Sequence, residues 1–266
     1  MRMHIIFLWV WGLGFCIIPS HAAVLYHNPL EQASDLDDWT FHGSDPGNWQ
    51  ISAQAVTINY AVNNLNGLYN PGGWNAQKYA VLDPALDLLD ARVLASFNTT
   101  GNNAGYVAFE LRKDGTGSAY QSGVTFEIHR YHMLIFDGSS LLSSNLFFGV
   151  GNPRFDGMSS RGLYTLDATV RDNTYSARIL FESDQGHVYY LTNQFGNATM
   201  SGTLNHALDS GNAAIRYTTH TASPYVYDFQ ILDVPSIPEP GTALLMLWGV
   251  ALAGRYRKWV REGSGS

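Results

Sequence analysis

Two stretches in which polar and apolar residues alternate carry the side chains best suited to chemistry, at positions 106–112 and 124–132. Alternation with a period of two is typical of β-strands, whose successive side chains point to opposite faces of a sheet. If the two strands are neighbours, their polar sides form one surface. That surface would carry five functional side chains: Glu110, Arg112, Glu127, His129 and Tyr131.

This combination of groups suits a sugar ligand. Charged side chains exchange hydrogen bonds with sugar hydroxyls, and an aromatic ring packs against the apolar face of a sugar ring. Trp74, in a loop with the sequence Asn-Pro-Gly-Gly-Trp-Asn, offers a further ring. The alternative is a solvated polar face on which opposite charges pair across strands, each pair contributing under about 1 kcal/mol.

Glu110 and Glu127 also raise the possibility of a glycosidase. Such an enzyme needs two carboxyl groups about 5 Å apart for retention, or up to about 9 Å for inversion, one of them protonated. Carboxylates on adjacent strands reach these separations by chance, and the Glu-x-Asp-x-x-Glu strand motif of jelly-roll glucanases is absent. We therefore expect no enzymatic activity and keep a polysaccharide hydrolase or lyase using these two residues as the alternative.

The elements that must position these side chains are strands. About a dozen alternating segments, separated by turns, lie between residues 23 and 234, and residues 83–94 are the one candidate for a helical turn. The clearest hairpin joins Tyr164–Val170 to Tyr175–Phe181 through Asp172-Asn173. Many short strands without alternating helices predict a single antiparallel sandwich or barrel.

The order of several phrases resembles the concanavalin-like, or LamG-like, jelly-roll superfamily. The phrases are Leu36-Asp37-Asp38-Trp39, Trp49-Gln50-Ile51, the central hairpin, residues 211–216, and Tyr227-Asp228-Phe229-Gln230-Ile231. The resemblance implies an all-β, antiparallel jelly-roll sandwich over residues 23–234, with another β-sandwich as the competing fold. Lectins, binding modules, glycosidases and lyases share this fold, so the fold does not decide the function.

The same resemblance implies a structural calcium ion held by carboxylates near the ends of the domain, and no other cofactor. The candidate ligands in this sequence are Asp35, Asp37, Asp38 and Asp228. The alternative is that these carboxylates are solvated groups in turns and at sheet edges.

The N-terminus has the pattern of a secretory signal peptide. Arg2 precedes an apolar run, and the small residues Ser20 and Ala22 favour cleavage after Ala22. Cys16, the only cysteine of the chain, lies inside this segment, so the exported domain is expected to lack disulfides. A transmembrane helix is the competing interpretation.

The predicted domain is acidic. Residues 23–234 keep 10 of the 15 basic residues and 20 of the 22 acidic ones, a net charge of about −10. Such a charge disfavours binding to nucleic acid or to anionic lipid.

The C-terminus combines three features in a fixed order: Pro238-Glu239-Pro240, an uncharged apolar segment at 243–254, and a basic end at 255–261. The apolar segment has about twelve residues, fewer than the roughly twenty that span a bilayer comfortably. The basic residues that follow would stay cytoplasmic. An ordinary C-terminal membrane anchor is the alternative to the interpretation that follows.

This order, over residues 235–266, resembles the PEP-CTERM sorting signal of Gram-negative bacteria. The resemblance implies export, transient anchoring in the inner membrane, and recognition of the Pro-Glu-Pro motif by an exosortase-type membrane protease. Release or attachment at the cell envelope would follow, often in species that produce exopolysaccharide. The sequence therefore predicts an exported surface or matrix protein that binds exopolysaccharide. The alternatives are the hydrolase or lyase above and a structural envelope protein without ligand.

Overall fold

The computed structural model describes residues 22–71, 77–83, 86–99, 106–113, 123–147, 161–193, 195–205, 210–218 and 224–234. These residues form strands almost throughout, with short 3-10 turns at Ala33–Leu36 and Pro46–Asn48. The strands are arranged in two antiparallel sheets packed as a sandwich, which confirms the all-β prediction. The predicted signal peptide and sorting segment, at 1–22 and 235–266, lie outside the described residues except for Ala22.

The larger sheet, sheet A, has the central strand order β13-β12-β11-β6-β16-β4-β3, with β1 paired to β16 and β14 paired to β12. Its strands are β1 (Val24–Asn28), β3 (Gln50–Ile58), β4 (Ala61–Tyr69), β6 (Ala91–Thr99), β11 (Leu163–Arg171), β12 (Thr174–Glu182), β13 (Val188–Tyr190), β14 (Met200–Thr203) and β16 (Pro224–Asp233).

The second sheet, sheet B, has the order β10-β9-β8-β7-β15-β5-β2. Its strands are β2 (Trp39–Gly43), β5 (Gln77–Leu82), β7 (Tyr106–Lys113), β8 (Val124–Ile128), β9 (His132–Asp137), β10 (Ser140–Leu146) and β15 (Asn212–Thr218). The two strands with candidate functional residues, β7 and β8, are direct neighbours, as the predicted common surface requires.

The core lies between the sheets and is rich in aromatic rings. Trp39 packs edge-on against Phe229 at a centroid distance of 5.3 Å, and Trp49 contacts Tyr217 at 4.8 Å. Both tryptophans are buried. Alternation produces this core directly, because every second residue of β11 and β12 is buried while the residues between them are partly exposed.

The predicted central hairpin is confirmed. Strands β11 and β12 pair in nine successive positions, from Leu163 with Glu182 to Arg171 with Thr174. Asp172 begins the two-residue turn with a φ of 48°, a left-handed conformation that Asp adopts more readily than most residues.

Two local predictions are wrong. The helical turn predicted at 83–94 does not form in its described part, because Asp87 is left-handed, with a φ of 49°, and β6 already begins at Ala91. The continuous alternation predicted for 124–132 stops at Ile128, where the chain turns before β9. His129 and Tyr131 therefore belong to a turn at the end of sheet B and not to a strand face.

Within the described residues, no helix is long and apolar enough to cross a membrane.

Candidate functional site

Register places charged residues of three strands in rows across the outer face of sheet B. Arg216 of β15 pairs with Ala108 of β7, which pairs with Glu127 of β8. In the next row, Ala214 pairs with Glu110. Residues directly opposite on adjacent strands point to the same face, so Arg216 and Glu127 face each other across a small alanine.

Four of these side chains form a buried charge network, made up of Glu110, Lys113, Glu127 and Arg216. Arg216 Nε lies 3.0 Å from Glu110 Oε1, and an Arg216 terminal nitrogen donates to Glu127 Oε2 at 3.0 Å. Lys113 Nζ lies 3.4 Å from Glu110 Oε2. All four residues are at most 3% exposed, so opposite charges must compensate one another here.

A β-bulge decides which basic residue joins the network. Arg112 has a φ of 58°, and the register between β7 and β15 shifts at this point. An extra residue in one strand reverses the alternation, so Lys113 takes the position that alternation assigned to Arg112. The prediction that Arg112 lies on the polar face with Glu110 is therefore wrong.

Arg112 instead binds two loops near the end of β7. Its guanidinium donates to the carbonyls of Leu89 and Asp172, and lies 3.3 Å from the Asp90 carboxylate. Burial lowers the pKa of Arg112, and the nearby negative charge of Asp90 opposes this effect. This residue has a structural position, away from the predicted ligand surface.

At the end of sheet B, the network meets a group of rings that we call the ring patch: Tyr106, His129, Tyr131 and His132. His129 Nε2 lies 2.5 Å from Glu127 Oε1, and its ring stacks on that of His132 at 4.5 Å and 7°. Tyr106 contacts the same His129 ring at 5.0 Å. Burial, then the neighbouring His129, lowers the pKa of His132, while Glu127 acts in the opposite direction.

The ring patch also contacts guanidinium groups. Arg216 donates to the Tyr106 hydroxyl at 2.9 Å. Arg130 lies over the ring of Tyr131 at 4.6 Å, and Tyr131 is 38% exposed. The side chain of His129 is also partly exposed. Exposed rings beside hydrogen-bonding groups are therefore available at this end of the sheet.

The structure brings Glu110 and Glu127 together, but through a shared cation. Both carboxylates pair with Arg216, and Glu110 also pairs with Lys113. Basic side chains occupy both carboxylates inside the network, whereas a glycosidase needs two carboxyl groups that face the sugar. The geometry is that of a structural charge network and gives no support to the hydrolase or lyase alternative.

Five predicted residues remain, namely Trp74 and the four candidate calcium ligands. Trp74 lies outside the described residues. Asp35 accepts hydrogen bonds from the backbone N–H groups of Glu31 and Gln32, whereas Asp38 accepts one from the Tyr26 hydroxyl.

The other two calcium candidates are Asp37 and Asp228. Asp228 pairs with His27 at 2.8 Å, and Asp37 is an exposed residue at the end of a 3-10 turn. Among the described residues, no group of three or more His, Cys, Asp or Glu side chains is placed to hold a metal ion. The calcium site at these four aspartates therefore stays a prediction.

Sequence reasoning missed four residues of the site: Tyr106, Lys113, His132 and Arg216. Tyr106 alternates onto the same face as Glu110, and His132 directly follows Tyr131, so both rings could have been identified from the sequence. Arg216 has the alternating pattern of a strand, but its partners are about 90 to 110 positions earlier in the chain, and only the pairing of β15 with β7 reveals them.

Comparison by sequence finds no matching protein-family model and no matching curated protein. Comparison by structure finds the VIP36 exoplasmic/lumenal domain. Its Ca²⁺/Man3GlcNAc-bound form has a TM-score of 0.51 at 10% identity, over 77% of this chain and 89% of that chain. Its Ca²⁺/Man2-bound form has a TM-score of 0.50 at 10% identity, over 84% and 91%.

A protein of unknown function with a galectin-like fold from Bacillus subtilis has a TM-score of 0.49 at 16% identity, over 79% of this chain and 96% of that chain. Identities this low show the fold and leave the function open. The chain has a lectin-like jelly-roll fold.

Proposed function

We propose that this domain binds carbohydrate through the ring patch at the end of sheet B. The observation that carries the proposal is the combination, at one end of a lectin-like sheet, of exposed rings with a histidine fixed by a buried carboxylate. The VIP36 domain, which shares the fold, is known in forms bound to Man3GlcNAc and Man2. The natural ligand would be an exopolysaccharide at the cell surface.

In this arrangement, buried residues orient the site and exposed residues contact the sugar. Glu127 holds His129 in one orientation, and Arg216 holds Glu127. A ring that is fixed before the ligand arrives loses less conformational entropy on binding. The face of the Tyr131 ring that Arg130 does not cover then receives the apolar side of a sugar ring. The partly exposed His129 and Arg130 supply N–H donors for the sugar hydroxyls.

A glycan array probed with residues 23–234, followed by titration calorimetry on the best hit, tests the proposal. Tyr131→Ala and His129→Ala should each weaken binding by roughly tenfold or more, since one stacking or hydrogen-bonding contact is worth about 1–2 kcal/mol. Tyr60→Ala is the matched control, because Tyr60 is 76% exposed in sheet A, at the tip of the β3–β4 hairpin. Binding that Tyr131→Ala and Tyr60→Ala affect equally, or an array without any hit, would overturn the proposal.

We also propose that the protein is exported and sorted by an exosortase-type membrane protease. The support is the sequence order of Pro238-Glu239-Pro240, the apolar segment 243–254 and the basic end. The apolar segment would hold the protein transiently in the inner membrane of a Gram-negative bacterium. Removal of this segment would leave the domain at the envelope or outside the cell.

Replacing one acidic residue of the tail at a time tests this route. In a host that has an exosortase, Glu239→Ala should leave the protein membrane-bound and unprocessed, whereas Glu262→Ala should be processed like the unchanged protein. Mass spectrometry of the secreted and membrane fractions measures both. A mature mass that Glu239→Ala leaves unchanged would contradict sorting through the Pro-Glu-Pro motif.

A further inference from the structure

A second polar site lies on the outer face of sheet A, far from the residues that the proposed function uses. Arg92 of β6, Asp167 of β11 and Arg178 of β12 come from three consecutive strands of this sheet. Tyr190 of β13 completes the group. We call these four residues the arginine cluster.

One carboxylate holds both guanidinium groups of the arginine cluster. Arg92 binds Asp167 in a bidentate manner, with Nε donating to Oδ1 at 2.6 Å and a terminal nitrogen donating to Oδ2 at 2.9 Å. Arg178 binds Oδ2 through Nε at 2.9 Å and through a terminal nitrogen at 2.8 Å. Its guanidinium also lies over the ring of Tyr190 at 4.5 Å.

The cluster has more positive than negative charge. Two permanently charged guanidinium groups share the single carboxylate of Asp167. Burial alone would raise the pKa of Asp167, but the hydrogen bonds from Arg92 and Arg178 outweigh burial and lower it. Asp167 therefore stays ionised over the physiological range, and the three groups together carry one excess positive charge.

Donors remain available on both arginines. A guanidinium has five N–H groups, and the contacts to Asp167 use Nε and one terminal nitrogen of each arginine. Within the described part of the chain, the second terminal nitrogen of each has no hydrogen-bond acceptor. The side chains of Arg92 and Arg178 are 35% and 39% exposed, so these donors can reach a ligand.

The cluster lines an open groove of about 380 Å³, a size within the range of small-ligand sites. Hydroxyl groups of Thr169, Ser176 and Thr199 line the same groove. Tyr190 is 38% exposed at the side of the cluster. Guanidinium donors, hydroxyls and an exposed ring are the groups that a saccharide with an acidic substituent would use.

Ala22, Asp233 and Val234 also line the groove. The backbone N–H of Asp233 donates to the Ala23 carbonyl at 2.8 Å, which places both ends of the domain there. Cleavage after Ala22, as the sequence predicts, would remove Ala22 from the groove and leave the α-ammonium group of Ala23 there, where it would balance the Asp233 carboxylate. The groove would then have a net charge of one positive unit, which comes from the arginine cluster.

We propose that this groove is a second saccharide site, which binds the carboxylate group of an acidic polysaccharide between Arg92 and Arg178. The site is independent of the ring patch, since it lies on the other sheet of the sandwich. A domain with both sites could hold two polysaccharide segments at once. The neutral hydroxyl groups of a saccharide would contact Thr169, Ser176 and Thr199.

Titration of the signal-cleaved protein with tetragalacturonate, and with the same oligosaccharide after reduction of its carboxyl groups, tests the inference. Only the acidic form should bind. Arg92→Gln and Arg178→Gln should each weaken binding by roughly tenfold, the loss expected for a charge-assisted hydrogen bond. Asp167→Asn should bind severalfold more tightly, because it removes the competing carboxylate. Thermal melting of each variant shows whether it is folded.

Arg171→Gln is the matched control. Arg171 is an arginine of the same strand as Asp167 and alternates onto the same face, outside the groove. Equal losses of affinity in Arg92→Gln and Arg171→Gln would show that binding depends only on net charge, and this would overturn the inference. So would tighter binding of the carboxyl-reduced form, or binding of a sulfated tetrasaccharide without the carboxylated one. Tyr131→Ala should leave binding of tetragalacturonate unchanged, which keeps this test separate from that of the ring patch.

Discussion

Arg216 and Glu127 pair across an intervening strand. The terminal nitrogen of Arg216, on β15, lies 3.0 Å from Glu127 Oε2, on β8, while β7 runs between the two strands. The residue of β7 that lies between them in register is Ala108. A methyl group leaves space above the sheet, so the long arginine side chain can extend over it.

The first prediction concerns the cation at the centre of the buried network. Arg216→Met should lower the free energy of unfolding by about 3–5 kcal/mol, because it leaves Glu110 and Glu127 buried with less compensating charge. Arg178→Met is the control, since its ion pair with Asp167 is 39% exposed on the arginine side and should contribute about 0–1 kcal/mol. Urea denaturation measures both. Equal losses would show that Arg216 is not the centre of a desolvated network.

The second prediction concerns Ala108, which lies beneath the ion pair of Arg216 and Glu127. Ala108→Leu should separate Arg216 from Glu127, because the larger side chain occupies the path of the guanidinium. Ala108→Leu and Glu127→Gln should then lower the free energy of unfolding partly through the same lost contact. The double variant should therefore lose less stability than the sum of the losses in the two single variants. Additive losses in a double-mutant cycle would contradict the proposed steric role of Ala108.

The fold and part of the site could be predicted from the sequence because they depend on local patterns. The hairpin from Tyr164 to Phe181 could be predicted because its alternation and its two-residue turn are local. Glu110 and Glu127 could be placed on one surface because β7 and β8 are consecutive strands joined in an antiparallel pair. Local pattern and chain order are sufficient for such features.

The rest of the site depends on features that alternation cannot show. A bulge at Arg112 puts Lys113 in the position that alternation assigns to Arg112. No glycine or proline stands at the bulge to indicate it in the sequence. Arg216 reaches the network only because β15, about a hundred residues later, is inserted beside β7. The turn at His129 interrupts a stretch of sequence that still alternates. The first two errors arise where pairing with a distant strand overrides a local pattern, whereas the turn at His129 joins consecutive strands.

The third prediction concerns pH and His132. Burial and His129 lower the pKa of His132 in the folded protein, although Glu127 opposes them. The unfolded chain takes up a proton near pH 6.5, while the folded state resists it. Stability should therefore fall as the pH drops below about 6.5 and stop falling once the folded state is also protonated. His132→Gln should weaken this dependence, and the exposed His187→Gln should not. Urea midpoints between pH 5 and 8 measure the difference, and identical curves for the two variants would refute it.

The fourth prediction concerns acid and Asp167. Its folded-state pKa is lowered, so its contribution to stability is complete above the unfolded pKa of about 3.9 and is lost as the pH falls through the lower folded value. Asp167→Asn should remove this part of the acid destabilisation, whereas Asn in place of the exposed Asp37 should not. Denaturation midpoints between pH 5 and 2.5 provide the measurement. A variant at Asp167 with the same slope as the unchanged protein would contradict the role of the arginine cluster.

The fifth prediction concerns the tip of the β3–β4 hairpin. Asn59 and Tyr60 form its two-residue turn with φ values of 48° and 62°, the conformation in which glycine is favoured at the second position. A bulky residue in this left-handed region is strained by about 1 kcal/mol or more, and the Tyr60 side chain is 76% exposed. Tyr60→Gly should therefore raise the free energy of unfolding by up to about 1 kcal/mol. Tyr60→Ala, which keeps a Cβ atom, should not produce this gain. Comparing the two variants separates backbone strain from the loss of the exposed ring, because only the strain distinguishes glycine from alanine at this position.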